Sequence, residues 1–515
     1  MTVRWGRCVN FKKCKDAKDK QHIPIPQGAT FVCPECGEPL LDENAIAPQE
    51  APATPSKKSP SSWMSPNTLL VAAVFLLLIP VALFAVWSMH LGSRATTSKT
   101  ILRLAGSNTI GDSLGPSLAE AFLKDQGATN VRILPGANPL EKIVVGVLPG
   151  DSRASSITIA AHGSATAFTA LAENSCDIGM ASRKIKPDEV IKLASLGNMT
   201  SVTNEHVLGL DGIAVIVNAS NPVNELDKDR IMRIFTGEIN DWSKIGASRG
   251  AIRIYARNDN SGTYDTFKSL VLGGKPLAPG AQRIEDSKVL SDAVAGDPNG
   301  IGFIGLPYIQ SSKAIAVSDK GTLAMLPTRL TVGTEDYLLA RRLYLYTPAN
   351  SSNKYTRQFI EYAISHKGQD VVGAAGFVAQ NVSVVEQTAP AEAPEEYKSL
   401  TRDANRLSFN FRFASGQMEL DNKAKVDMDR VVSLIADLNI PSDKVMLFGF
   451  SDGTGSSASN DALSLSRAKA IENQFILRGM KPAIVRGFGS NLPIASNETD
   501  EGQARNRRVE VWIKK

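Results

Sequence analysis

The chain is poor in aromatic residues, 6% of its 515, and carries little excess charge, since 57 basic side chains face 52 acidic ones for a net charge of +5. That leaves neither a stacking platform for bases nor a broad cationic field, so nucleic acid is not an expected partner. Cysteine is equally scarce. Cys8, Cys14, Cys33 and Cys36 crowd the amino end, and everything beyond them holds only Cys176. No disulfide can form inside that long remainder, and Cys176 reads as a small buried residue. A catalytic constellation is also missing. His162 stands two residues from Ser164, too close along one loop to serve that hydroxyl as a base, with no acid at hand to orient it, so no enzyme is expected.

Long apolar runs are absent but for one. From Thr68 to Met89, TLLVAAVFLLLIPVALFAVWSM carries no charge, and as a helix its 22 residues rise about 33 Å, enough for a hydrocarbon core of about 30 Å. Some 67 residues precede it, which sets it apart from a signal peptide and predicts a membrane span over 67–90. Lys12, Lys13, Lys15, Lys18, Lys20, Lys57 and Lys58 come before the span and only Arg94 and Lys99 follow closely. The amino end is therefore expected in the cytoplasm, and the bulk of the chain across the inner membrane. There the cysteines stay reduced. Their spacing, C-x5-C and then C-x2-C in FVCPECGEPL, can gather four thiolates and resembles a zinc ribbon, with Cys8, Cys14, Cys33 and Cys36 as ligands of a structural Zn and His22 as a substitute. NAIAPQEAPATPSKKSPSS, rich in Pro, Ala and Ser, reads as a tether to the membrane.

Beyond the span one unit recurs three times: an apolar strand, a small polar loop and an amphipathic helix. The loops are Gly106 to Thr109, His162 to Ser164 and Arg257 to Thr263, and Leu114, Leu118 and Phe122 mark the first helix face. Helix starts present unpaired N–H groups, so three such loops plus Arg257 suit an anion, although each hydroxyl alone would serve as an ordinary helix cap. The ordered set LAGSNTIG, HGSATAF, DIGMASR, IMRIFTGEINDWSKIG and RNDNSGTYDTF resembles phosphate-binding proteins of the PstS type over about Lys99 to Val385. The resemblance implies a two-lobed α/β periplasmic-binding-protein fold closing on phosphate, held by Ser107 or Thr109, Ser164, Ser182, Arg257, Ser261, the Gly262 N–H and Thr263. One departure stands out: the family places an aspartate after the DIGM-like strand, which accepts the phosphate proton, where this chain has Ser182 and Arg183. Arg183 is either a further phosphate ligand or a surface arginine beside the cleft.

EQTAPAEAPEEYKS then reads as a second flexible linker that lets the last domain move freely. After it, strands and two amphipathic helices carry FASGQMEL, FGFSDGTGSSASNDALSLSRAKAI and GFGSNLPIASNETDEGQARNRRVEVW. These resemble the OmpA-like peptidoglycan-binding domain. The resemblance implies that Asp452 and Arg467 grip a diaminopimelate of the stem peptide, with Asn460 near. Small Gly453, Gly455 and Ser456 let the backbone approach, and the chemistry fits a carbon bearing both an ammonium and a carboxylate. The plain alternative is a structural Asp–Arg pair. Of Arg507 and Arg508, at most one can face the pocket, because neighbours on a strand point opposite ways; Arg508 is taken as the supporting residue.

The expected organisation is multidomain: a zinc ribbon (1–45), a linker (46–66), one transmembrane helix (67–90), a two-lobed α/β receptor (99–385), a linker (386–402) and an α+β OmpA-like domain (403–515). Such a chain would capture phosphate or a similar oxyanion between inner membrane and peptidoglycan, for uptake or sensing, with an ABC phosphate transporter as candidate partner. The alternatives are a membrane-to-wall tether whose receptor has lost its ligand, and a ligand-dependent signalling protein.

Overall fold

The computed structural model describes residues 4–7, 22–25, 32–33, 41–42 and 98–515, apart from 248–249, 260 and 414–419. The chain divides into Met1–Arg94 and Ala95–Lys515. In the first unit, strand Arg4–Arg7 pairs antiparallel with His22–Ile25 and with Leu41–Asp42, and Cys33 is buried. Cys8, Cys14, Cys36 and the apolar run Thr68–Met89 lie outside the described residues. Among the described residues there is no metal-binding group of His, Cys, Asp and Glu, and no helix is long and apolar enough to cross a membrane.

In the second unit the strand Glu205–Val217 organises the receptor, because its 13 residues are nearly all buried and serve two neighbourhoods. Its first part pairs with Ala340–Tyr346, from Tyr346 opposite Glu205 to Ala340 opposite Gly212. Its last part, Ile213 to Val217, pairs with Gly300–Gly305. One strand thus runs from a first lobe, built on Lys99–Gly106, Ser155–Ala160 and Ile178–Ala181, into a second built on Arg253–Arg257 and Gly300–Gly305. Each lobe has its own core. Leu104, Leu118, Phe122 and Ile157 fill the first; Val215, Phe235, Phe267 and Phe303 fill the second, with the last two rings stacked 4.0 Å apart. Leu114, Leu118 and Phe122 are buried on helix Leu114–Asp125, as their spacing predicts. Cys176 is buried too, and burial pushes its thiol up to about 12.

The carboxyl-terminal domain is a five-stranded sheet in the order Val384–Glu386, Ala404–Arg412, Arg508–Lys514, Val445–Gly449, Ile484–Gly487. Helices Asn422–Asp437 and Ser457–Ile476 bring Val431, Ile471 and Phe475 to the core beside Phe411 and Leu447. Leu465 is only half-buried. The inward face of its helix is instead held by Ser464, Arg467 and Ala468.

The segment expected to be a free linker is structured. Val384–Glu386 pairs antiparallel with Ala404–Arg412, and helix Glu395–Thr401 inserts Tyr397 among Phe448, Phe450, Phe488 and Trp512. Tyr397 also donates to Glu510 at 2.8 Å. One buried aromatic with a partnered hydroxyl outweighs the disorder that the Pro, Ala and Glu content suggests.

The two domains are further joined by buried polar contacts. Arg505 donates to the carbonyls of Glu335, Tyr337 and Ala340 at 3.3, 3.0 and 2.8 Å. Arg406 pairs with Asp336 at 2.9 Å, Asn410 donates to the same carboxylate, and Asp421 meets Arg342 at 2.8 Å. Asn422 donates to Glu205 in the first lobe, while the Ser496 N–H donates to Asp319 in the second. The carboxyl-terminal domain therefore touches both lobes and the segment between them, and the expectation of free movement is corrected.

Candidate functional site

Strand ends deliver the receptor's polar residues to one place. Gly106 and Gly163 take positive φ angles, 133° and 107°, that side-chain-bearing residues rarely adopt, and the loops they shape start helices Asn108–Gly111 and Ser164–Ala172. From the second lobe, Ser261 caps helix Gly262–Leu270, its hydroxyl accepting from the N–H groups of Thr263 and Tyr264. The two sets meet at Gly262. A Cβ there would fall 2.4 Å from Ser182 Oγ, 3.4 Å from Ser164 Oγ and 3.7 Å from Ser107 Oγ. Ser164 and Ser182 hydroxyls lie 3.2 Å apart, and Ser107 Oγ is buried with no partner.

Beside this cluster a cleft of about 610 Å³ opens, with Thr109 on one wall and Arg257, Thr263 and Ser287 on the other. Arg257 donates to Ser287 Oγ, and its Nε is buried without a partner. Burial, with Arg341 nearby, lowers its pKa from the ordinary guanidinium value, while Tyr308, Asp112 and Asp286 oppose the shift. The Tyr308 hydroxyl is itself pushed up, chiefly by burial.

The structure separates the expected ligands. Thr109, Arg257 and Thr263 line the cleft; Ser107, Ser164 and Ser182 sit against Gly262; Ser261 acts as a helix cap. Arg183 is corrected. Its guanidinium is bound by Glu189 at 2.6 and 2.8 Å and by Asp265 at 3.3 Å, and lies over the Phe168 ring. Two carboxylates outcompete a mobile anion for that charge, and Arg183 joins the lobes instead. His162 is paired with Glu141 at 3.1 Å and not with Ser164. The G-x-S-x-G spacing of Gly111 to Gly115 resembles a nucleophile elbow, but Ser113 lies between two helices rather than at a strand-to-helix turn.

Sequence reasoning missed the pair behind the site. Arg341, on the strand Ala340–Tyr346, grips Asp211 through Nε at 3.0 Å and Nη2 at 2.7 Å, both side chains almost fully buried. It also donates to Thr109 Oγ1 at 3.2 Å, Thr263 Oγ1 at 3.0 Å and the Gly262 carbonyl at 2.7 Å. Each threonine oxygen that accepts from Arg341 has its own proton left to donate, which aims Thr109 and Thr263 at an acceptor. The signal was present: an Asp inside VLGLDGIAVIV demands a cationic partner, because buried charges are paired.

In the carboxyl-terminal domain Asp452, Asn460 and Arg467 are all buried, Asn460 in the first turn of helix Ser457–Ile476 and Arg467 near its middle. Asp452 accepts from the Thr454 N–H and hydroxyl and from Arg507 Nη1 at 2.9 Å. Burial raises its pKa, but those donors outweigh it and hold the carboxyl below its ordinary range. Gly455 has φ 96°, and the space a side chain would need at Gly453 is filled by Asn497. Arg508 is corrected: it pairs with Glu510 and lies 3.9 Å from the Phe450 ring centre. Arg507 is the residue that reaches Asp452. Arg467 Nε, Arg507 Nε and Ser451 Oγ are buried donors without a hydrogen-bond partner. Arg507→Ala is expected to lower retention on peptidoglycan about tenfold or more, by removing the charged donor bound to Asp452. Arg508→Ala should instead lower the melting temperature while a sedimentation assay still finds the protein on the wall.

The family comparisons agree with this division. Residues 93–367 match the model described as PBP superfamily domain, and residues 412–507 the model of the OmpA family. Among curated proteins the chain is similar to the phosphate-binding protein PstS of Staphylococcus haemolyticus, 29% identical over 42% of this chain and 70% of the relative. It is likewise similar to that of Staphylococcus aureus (strain USA300), 30% identical over 42% and 67%. Among solved structures, an ABC-type phosphate transport receptor from Vibrio cholerae is 21% identical, spans 54% of this chain and 99% of its own, and has a TM-score of 0.42. The chain belongs to the PBP superfamily, carrying a PstS-like receptor domain followed by a domain of the OmpA family.

Proposed function

We propose that this protein is a phosphate-type oxyanion receptor that also holds peptidoglycan, capturing its anion between the inner membrane and the wall for uptake or sensing. The observation that carries the reading is the convergence of Thr109, Arg257 and Thr263 on one cleft, with the two threonine protons directed by Arg341. Neutral hydroxyls and one guanidinium suffice for such an anion, without a crowd of lysines. The homology to phosphate-binding proteins supports the same ligand class. In this reading Thr68–Met89 anchors the chain, four thiolates from Cys8, Cys14, Cys33 and Cys36 hold a structural Zn in the cytoplasm, and an ABC transporter receives the ligand. Asp452, Arg467 and Arg507 grip a stem-peptide residue bearing an ammonium and a carboxylate.

Calorimetric titration of the full-length protein with phosphate, sulfate and arsenate tests the receptor. Arg257→Ala is expected to weaken phosphate about 10- to 100-fold, the usual effect of losing a charged hydrogen bond. Unchanged affinity in that variant would remove Arg257 from the site. No heat with any oxyanion, from protein still retained on peptidoglycan, would leave the tether alone.

A further inference from the structure

We propose that the receptor domain completes the wall-binding site, with Asp319 as a positioning residue that holds the segment supplying Asn497 and Arg507 to Asp452; this rests on the peptidoglycan reading above. Residues 495–507 of the carboxyl-terminal domain make two sets of contacts. One set goes to the receptor. Ala495 is fully buried in the core of the second lobe. The Ser496 N–H donates to Asp319 Oδ2 at 3.2 Å, and Glu498 pairs with Lys320. At the far end of the segment Arg505 donates to the carbonyls of Glu335, Tyr337 and Ala340.

The other set goes to the surroundings of Asp452. Asn497 Oδ1 accepts from the Gly453 N–H and from Asn506 Nδ2, both at 2.9 Å. Gly453 follows Asp452, and Asn506 precedes Arg507, whose Nη1 donates to Asp452 at 2.9 Å. One carboxamide thus ties the two chain segments that flank the Asp452–Arg507 pair, and it stands between Ser496 and Glu498, which the receptor holds. Asp319 is itself fixed. It follows the strand Ala316–Ser318, paired with Glu225–Asp227, and its nearly buried carboxylate meets Lys228 at 3.1 Å. Ser496 is buried as well, and a buried N–H deprived of its acceptor is costly, so losing the carboxylate displaces the loop. A loop already held in its binding conformation loses less freedom when the ligand arrives, which strengthens binding. Neither Asp319 nor this segment lines the anion cleft.

Calorimetric titration of the full-length protein with a soluble muropeptide whose stem carries diaminopimelate, and in parallel with inorganic phosphate, tests the assignment. Asp319→Ala is expected to weaken the muropeptide about three- to tenfold while changing phosphate by less than about twofold, since the lost hydrogen bond acts through this loop alone. Asp319→Asn, which keeps an oxygen for the Ser496 N–H, is expected to bind the muropeptide within about twofold of the natural protein. In an Asn497→Ala background Asp319→Ala should add little, because both act through one loop. Muropeptide affinity unchanged in Asp319→Ala, or losses that multiply in the double variant, would overturn the inference and leave the wall-binding reading standing. Equal weakening of phosphate and muropeptide would mean a general loss of structure and would overturn it as well. No muropeptide binding by the natural protein would overturn both the inference and the reading beneath it.

Discussion

Asp211→Asn is expected to lower the unfolding free energy by roughly 3–5 kcal/mol, the range for removing one partner of a buried ion pair. Asp211 is fully buried and Arg341 nearly so; without the carboxylate the guanidinium remains inside with no counter-charge. The loss should reach the anion site, because the same guanidinium holds Thr109 and Thr263. Urea unfolding of the full-length variant, with the slope unchanged and the midpoint lowered, measures the stability term. A double replacement, Asp211→Leu with Arg341→Met, separates the two roles. Well-packed apolar side chains often match a buried ion pair in stability, so the double variant should regain much of the midpoint. It should not regain phosphate binding, since nothing then directs the threonine protons. A single variant within about 1 kcal/mol of the natural protein would mean that the pair is not a structural requirement.

Glu335→Gln should loosen the junction between the receptor and the wall-binding domain by a similar amount, roughly 3–5 kcal/mol for breaking a network of buried charges. Glu335 accepts from Arg342 at 2.6 and 2.8 Å in the receptor and from Arg412 at 3.1 Å in the domain beyond. Burial raises its pKa, but Arg342 and Arg412 outweigh burial and hold the carboxyl well below the usual carboxylate range. A carboxylate depressed on folding stabilises fully above its unfolded pKa, about 4.3 for glutamate, and loses that contribution as pH falls toward the folded value. The gap in melting temperature between the natural protein and Glu335→Gln should therefore be widest at neutral pH and shrink with acid below about pH 4. A single melting transition that splits into two in the variant would show the domains uncoupled. A gap that does not change with pH would remove Glu335 as the source of the coupling.

Much of this molecule was legible in its residues. The repeated strand, loop and helix and the face of Leu114, Leu118 and Phe122 are local patterns, and local patterns survive folding. Arg183 and Arg508 were misplaced because a strand or loop position does not reveal which carboxylate waits on another element: Glu189 and Asp265 for one, Glu510 for the other. The segment 386–402 looked like a tether because composition averages over residues, whereas one tyrosine in an aromatic pocket decides whether it docks.

The sequence by itself determined the two domain types, the order of the three helix-start loops and the residue chemistry at each site, all properties carried by neighbours along the chain. Only the tertiary structure decided that Asp211 and Arg341, 130 residues apart, form one pair behind the cleft. It likewise decided that Arg505 spans the boundary between the domains, and that Thr109, Arg257 and Thr263 share one cleft. The reason is physical: a buried charge is tolerated only where folding brings its partner, and a cavity belongs to the space between elements rather than to any one of them.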